Sequence, residues 1–273
     1  MKKTSAYLKQ MKAAGRKIAM LTCYDCPTAR ILEAAGIDVI LVGDSVGTNV
    51  LGYEHERQVT MADMVHHVKA VRRGVSQAYL LADMPYKTYE DPATALQNAQ
   101  LFVSLGADGV KLEGFRPEII RYLTGHGIEV CGHLGLNPQI HEKKGLRAKT
   151  AAEAIDLIEN AVRLQEAGAA LMILEMIPEE VGRLVTERLV VPTIGIGAGR
   201  YTDGQVLIFH DLLGIHELEL RHVTRYEDIR GRCLGAVRRY AEDVAAGRFP
   251  GDQNVRHLKP EDLAALAEWA TRH

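Results

Sequence analysis

The stretch VILVGDSVG, Val39 to Gly47, begins as four apolar residues and stops at Asp44-Ser45, with glycine close on either side. Val39, Ile40 and Val42 are β-branched and nothing alternates. The run therefore reads as a strand covered on both faces, which is the habit of parallel sheets. A strand built to be buried should not end in a carboxylate and a hydroxyl unless those groups have work to do.

The same design recurs along the chain. KIAMLTCYD (17–25), YLLADMP (79–85), GVKLEG (109–114), EVCGHLG (129–135), ALMILEMIP (170–178), VPTIGIGAG (191–199) and QVLIFHDLLG (205–214) bring the strand candidates to eight. Amphipathic stretches lie between them. Met61, Met64, Val65, Val68 and Val71 follow helical spacing behind Thr60, an N-cap residue type. Asp91-Pro92 opens another helix with proline in its first turn. TAAE, Thr150 to Glu153, reads as a capping box ahead of Ile155, Ile158 and Val162. Ile229, Cys233, Val237, Tyr240 and Val244 make a late helical face. Eight strand–helix alternations imply parallel strands with right-handed crossovers. The expected fold is α/β, a (β/α)8 TIM barrel forming a single domain over residues 1–273, with added helices at 5–14 and 259–272. A doubly wound open sheet is the alternative.

With 273 residues, 47% of them hydrophobic, the chain can build one large core. A net charge of -2 implies no basic face, so neither nucleic acid nor an anionic membrane is expected as a partner. MKKTSAYLKQMKAAGRK lacks the apolar segment of a secretory signal. No apolar run approaches the roughly 18 residues of a membrane span. The four cysteines are too few for a disulfide framework in a chain this long. Cys23 and Cys26 spell CxxC without a second pair or a nearby histidine. They read as two small residues near a strand end, with a metal or redox role as the alternative. A cytoplasmic, reducing location is expected.

Nearly every strand candidate ends in polar groups: Asp25, Asp44-Ser45, Asp83, Lys111 with Glu113, His133, Glu175 and His210-Asp211. In a barrel the C-terminal strand ends form the floor of the active site. Asp25 and Asp211 also suit the capping of a following helix. Strand periodicity is more selective. Lys111 and Glu113 share one face, and Val110 and Leu112 share the other. The apolar pair should face the helices, which aims the charged pair into the barrel. Asp83 follows Leu81 there, and Glu175 follows Ile173. Unpaired buried charges cost several kcal/mol, so these groups must find one another or a metal.

Asp44, Asp83 and Glu113 come from successive strands with no cysteine cluster. An all-oxygen set suits a hard cation, with Mg2+ the first choice and Mn2+ or Co2+ as substitutes. Zinc fits less well, since no HExxH spacing is present. Lys111 adds a fixed positive charge for a substrate carboxylate or oxyanion. Glu175 lies among Met172, Ile173, Met176 and Ile177. An apolar setting raises a carboxyl pKa, which suits a general base near neutral pH. GIGAG (195–199) permits close backbone approach but does not fit GxGxxG. His133 reads equally as a substrate-orienting group or a satisfied buried histidine. A structural ion-pair cluster inside a polar barrel is the reading without chemistry.

LVGDSVG, AVRRG, LLADMPY, VKLEG, CGHLGL and GIGAGRYTDGQVLIFHDLLG, in this order, resemble the ketopantoate hydroxymethyltransferase family over most of residues 4–250. The resemblance implies a (β/α)8 barrel that assembles as a homo-oligomer, commonly a decamer. It implies transfer of a hydroxymethyl group from 5,10-methylenetetrahydrofolate to 3-methyl-2-oxobutanoate, in pantothenate biosynthesis. The positions that match the family's metal site are Asp44, Asp83 and Glu113. Those matching its substrate contacts are Asp44, Ser45, Asp83 and Lys111, and the proton acceptor matches Glu175. His133 is added as a substrate-side candidate. The folate is a cosubstrate, and Mg2+ is the one cofactor implied. A related Mg2+-dependent aldolase or lyase on another 2-oxo acid is the alternative, and a non-catalytic binding barrel is a third reading. Three loops depart from the family pattern: GYEHERQVT at 52–60, NPQIHEKKGLRAKT at 137–150 and IHELELRHVTRY at 215–226. Enolisation of the oxo acid and capture of the one-carbon unit are therefore expected to be separable.

Overall fold

Eight strands close on themselves in chain order, every neighbouring pair parallel. They are β1 (Ile18–Thr22), β2 (Val39–Val42), β3 (Tyr79–Asp83), β4 (Gly109–Glu113), β5 (Val130–Gly135), β6 (Leu171–Glu175), β7 (Thr193–Ile196) and β8 (Gly204–Leu207). The helices are α1 (Ser5–Ala13) ahead of β1, then α2 (Cys26–Ala34), α3 (Met61–Arg72), α4 (Pro92–Ser104), α5 (Pro117–Gly125), α6 (Ala151–Glu166) and α7 (Glu179–Arg188). After β8 come α8 (Phe209–Leu212), α9 (Ile229–Ala245) and α10 (Pro260–Arg272). This computed structural model describes residues 2–141, 143, 145–216 and 220–272. The expected (β/α)8 barrel and both terminal helices are present.

The start signals act as the sequence indicates. Thr60 accepts from Asp63 N–H and Thr150 from Glu153 N–H, each within a capping box, while Asp91 caps α4 ahead of Pro92. Asp25 caps α2 through Thr28 N–H at 2.7 Å. Asp211 caps nothing: it lies in the first turn of α8, behind an Ile208 N-cap position that makes no side-chain bond.

Side-chain parity divides the molecule into two cores. Ile40, Val42, Leu80, Ala82, Val110, Leu112, Met172 and Leu174 face outward against the helices. Val39, Leu41, Tyr79, Leu81, Ile173 and Ile194 face inward. Leu8 and Met11 of α1 join that inner core, so α1 plugs the N-terminal end of the barrel. The inner core is apolar at this end and charged at the other.

Two features differ from the expected alternation. No helix separates β7 from β8; residues 197–203 make the crossover alone. Gly197 and Gly199 take φ of 61° and 81°, which lets so short a connection turn. QVLIFHDLLG is only half strand, because it bends at Ile208 into α8. Along α6, Leu157, Ala161 and Leu164 are buried and Ile158 is partly so, whereas Ile155 is 56% exposed.

Candidate active site

Strand register assembles the charged layer. Asp83 stands opposite Lys111, and Glu113 opposite His133. Lys111 Nζ accordingly donates to Asp83 Oδ2 at 2.6 Å and lies 3.3 Å from Glu113 Oε1. His133 is held between two carboxylates, its Nδ1 3.3 Å from Glu113 Oε1 and its Nε2 3.3 Å from Glu175 Oε2. Both are ion-pair contacts without hydrogen-bond alignment. Asp44 follows β2, and its N–H donates to Asp83 Oδ2 at 3.3 Å. Ser45 Oγ pairs with Tyr24 Oη at 2.8 Å. Asp44, Ser45, Asp83, Lys111, Glu113, His133 and Glu175 all line one cavity of about 380 Å³ at the C-terminal mouth of the barrel.

The charges are strongly interdependent because all but Glu175 and Ser45 are buried. Burial, then the neighbouring Asp83, pushes Asp44 well above the usual carboxylate range. Burial raises Asp83 too, against the opposing pull of Lys111. Burial alone would lower Lys111, but Asp83, Glu113 and Asp44 together raise it well above its ordinary value. Burial would raise Glu113, yet Lys111 and His133 bring it down to about 2. For His133 burial pulls down while Glu113 and Glu175 push up, and the carboxylates win at about 9. Each of these shifts favours the charged form of Lys111, Glu113 and His133.

Gln139 was not singled out by sequence reasoning. Fully buried, it donates from Nε2 to Asp44 Oδ2 at 2.7 Å and to Met84 O at 3.0 Å, and from its backbone N–H to Glu113 Oε2 at 3.0 Å. Tyr89 Oη donates to Gln139 Oε1 at 2.5 Å. The only signal was its place directly after CGHLGLNP. Its effect is to occupy Glu113: one oxygen of that carboxylate faces Lys111 and His133, and the other takes the Gln139 N–H. Among the described residues Asp83 Oδ1, by contrast, is buried without a partner. Hard anionic oxygens with one orphan fit a hard cation on Asp44 and Asp83. Glu113 lies next to that pair through Lys111. Among the described residues no group of three His, Cys, Asp or Glu stands ready-made as a metal cage.

Glu175 is the open carboxylate, its side chain 18% exposed. Its setting is less apolar than its sequence neighbours suggest, because Met172 and Leu174 point outward and His133 stands beside it. Met176 takes φ of 50°, a conformation uncommon for a non-glycine residue, and lines the same cavity. Gly135 has φ of 99°, and a Cβ there would come 2.1 Å from Glu175 O, so only glycine lets β5 approach β6 at this point. The CxxC pair lies elsewhere. Cys23 is buried, its thiol pushed up to about 12 chiefly by burial, and Cys26 opens α2. GIGAG contributes Ile196 to the cavity.

The family profile described as ketopantoate hydroxymethyltransferase matches residues 2–252. The chain belongs to the ketopantoate hydroxymethyltransferase family. It is 45% identical over 266 residues to a 3-methyl-2-oxobutanoate hydroxymethyltransferase of Deinococcus radiodurans, covering 94% of each chain. To the protein of that name from Syntrophotalea carbinolica it is 47% identical over 261 residues, covering 93% of this chain and 98% of the relative. In fold it is similar to phosphonopyruvate hydrolase, solved in complex with oxalate and Mg2+, with a TM-score of 0.61 at 14% identity, covering 98% and 97% of the two chains. The same fold appears in 2,3-dimethylmalate lyase, a member of the PEP mutase/isocitrate lyase superfamily, with a TM-score of 0.60 at 16% identity over 100% and 97% of the chains. Among the described residues no helix is long and apolar enough to cross a membrane.

Proposed function

We propose that this member of the family transfers a hydroxymethyl group from 5,10-methylenetetrahydrofolate to 3-methyl-2-oxobutanoate, giving 2-dehydropantoate, with a divalent cation, Mg2+ first, on Asp44 and Asp83. The observation that carries the reading is the juxtaposition, in one cavity, of a buried carboxylate pair with an orphan oxygen, a buried lysine and an open carboxylate. A cation held by Asp44 and Asp83 would lend Lewis acidity to the keto oxygen of the oxo acid. Lys111 has a third N–H beyond those facing Asp83 and Glu113, and offers it to the substrate carboxylate together with the Ser45 hydroxyl. Glu175 accepts the C3 proton. His133, braced by Glu113 on its far side, fixes the position of the Glu175 carboxylate. The C3 carbanion then attacks the one-carbon unit. We further place the chain in the cytoplasm as a homo-oligomer.

Glu175→Gln keeps the side-chain shape and removes the proton acceptor. Deuterium exchange into C3 of 3-methyl-2-oxobutanoate, followed by NMR with Mg2+ present, should fall by about 10²-fold or more, the scale of a lost general base. Exchange at the wild-type rate would assign the base elsewhere. A panel of branched 2-oxo acids, with and without the folate, separates the transferase from a lyase on a different acid.

A further inference from the structure

In the proposed reaction the one-carbon unit loses its bonds to two folate nitrogens and gains bonds to a water oxygen and to C3. Each nitrogen leaves with a proton. One of these is the C3 proton removed by Glu175. The other comes from the water, whose second hydrogen remains on the new hydroxyl. Protons and electron pairs balance without an oxidant or reductant, but the cavity needs a second group that takes and returns a proton.

Among the described residues, the carboxylates of the cavity can be assigned one by one. Asp44 and Asp83 would hold the proposed cation. Glu113 is committed to Lys111, His133 and the Gln139 N–H. Glu175 takes the C3 proton. Glu56 is buried and has a partner of its own. Asp211 remains. It lines the same cavity, its side chain is 11% exposed, and it caps no helix. Its Oδ1 lies 3.4 Å from His216 Nδ1. The His216 ring stacks on His210 at 5.6 Å and 22°, and His210 lies 5.5 Å from Tyr24, whose hydroxyl pairs with Ser45. A wall of rings thus fixes the Asp211–His216 pair relative to the substrate side of the cavity.

We propose that Asp211 is the second acid–base group of the transfer, with His216 as its positioning residue. As the water oxygen bonds to the one-carbon unit, Asp211 accepts a proton from it. It returns that proton to the folate nitrogen as the C–N bond breaks. The proposal rests on the reaction assigned above and predicts a defect confined to its folate half. Free formaldehyde offers a bypass, because no C–N bond has to break and the C3 proton ends on the new hydroxyl.

The test compares wild type, Asp211→Asn, Asp211→Glu, His216→Gln and His222→Gln, since His222 also lines the rim of the cavity. Three rates are measured: C3 exchange, transfer from methylenetetrahydrofolate and transfer from formaldehyde. For Asp211→Asn, folate-dependent transfer should fall by about 10²-fold or more, with exchange and formaldehyde transfer close to wild type. Asp211→Glu should restore part of the loss, and His216→Gln should show a smaller loss of the same selectivity. Wild-type folate transfer in Asp211→Asn, equal loss of all three rates in both Asp211 variants, or the selective loss appearing in His222→Gln instead would each overturn the proposal. A wild-type protein that transfers from the folate without exchanging C3 would overturn the Glu175 reading and leave the Asp211 comparison standing.

Discussion

Asp83 is the residue on which the proposed chemistry of the cavity turns. One of its oxygens binds Lys111 and the other is buried with no partner among the described residues. Replacing it by alanine leaves Lys111 with Glu113, so the fold should survive, but half of the proposed cation site is gone. Asp83→Ala should lose metal-dependent turnover. Mg2+ should raise the melting temperature of the wild type, as any ligand of the native state does, and leave that of the variant unchanged. Normal turnover of the variant at low Mg2+ would sink the assignment. Asp83, Lys111, Glu113, His133 and Glu175 were legible in the sequence because strand parity is a rigid rule: an apolar outer face forces their side chains into the barrel. What parity does not report is who pairs with whom. Glu113, grouped with the cation by residue type and by the family resemblance, also stands beside Lys111, His133 and the Gln139 N–H. Gln139 left no periodic trace, since it acts from a loop.

At the scale of elements, local signals are legible in the sequence and their partners less so. The caps at Thr60, Asp91 and Thr150 are contained within four residues, so sequence suffices to find them. The missing β7–β8 helix was hidden because a glycine-rich turn and a helix start both follow a strand. Ile155 matched helical spacing yet faces out, since a short periodic window leaves the phase of the face open by one residue. A longer-range device was invisible in the sequence. Glu33, in the last turn of α2, accepts from Ser76 N–H at 3.0 Å, Ser76 Oγ at 2.8 Å and Ala78 N–H at 3.2 Å, and also from Gln77 N–H. It thereby fixes the chain as it enters β3. Its partial burial raises its pKa, but the Ser76 hydroxyl and the three N–H groups outweigh that and lower it. A carboxylate with a lowered folded-state pKa stabilises above its unfolded-state value and loses that contribution as pH falls through the folded one. Glu33→Gln should therefore cost about 1 kcal/mol at neutral pH, discounted for exposure. Thermal melts should show the gap narrowing as pH drops below about 4. A gap independent of pH would show that the charge is not what holds the turn.

For the whole molecule, the informative surface lies where the barrel is bare. Outward-facing strand residues are buried wherever a helix covers them, as throughout β2, β3 and β4. On β1 and β8 two are not: Ala19 and Gln205 are exposed. With Leu21, Ile37 and Leu207 they line a groove of roughly 900 Å³. That is the place where the last helix of a (β/α)8 barrel would lie. A helix long enough to fill it is α9, which has no buried residue. Its apolar face is open, with Leu234 42%, Val237 63%, Tyr240 58% and Val244 47% exposed. An uncovered groove and an uncovered amphipathic helix in one chain are complementary, and in a homo-oligomer the α9 of one copy can occupy the groove of the next. Covering such side chains is worth about 1.5–3 kcal/mol each when burial is complete, enough to hold subunits together. Val237→Glu combined with Tyr240→Glu should therefore lower the mass of the native assembly measured by size exclusion with light scattering. Each barrel should stay folded, because no buried core residue is touched. A wild-type protein that is monomeric at micromolar concentration would mean that α9 finds its cover within its own chain. An assembly of unchanged mass in the double variant would place the subunit contacts on a different face.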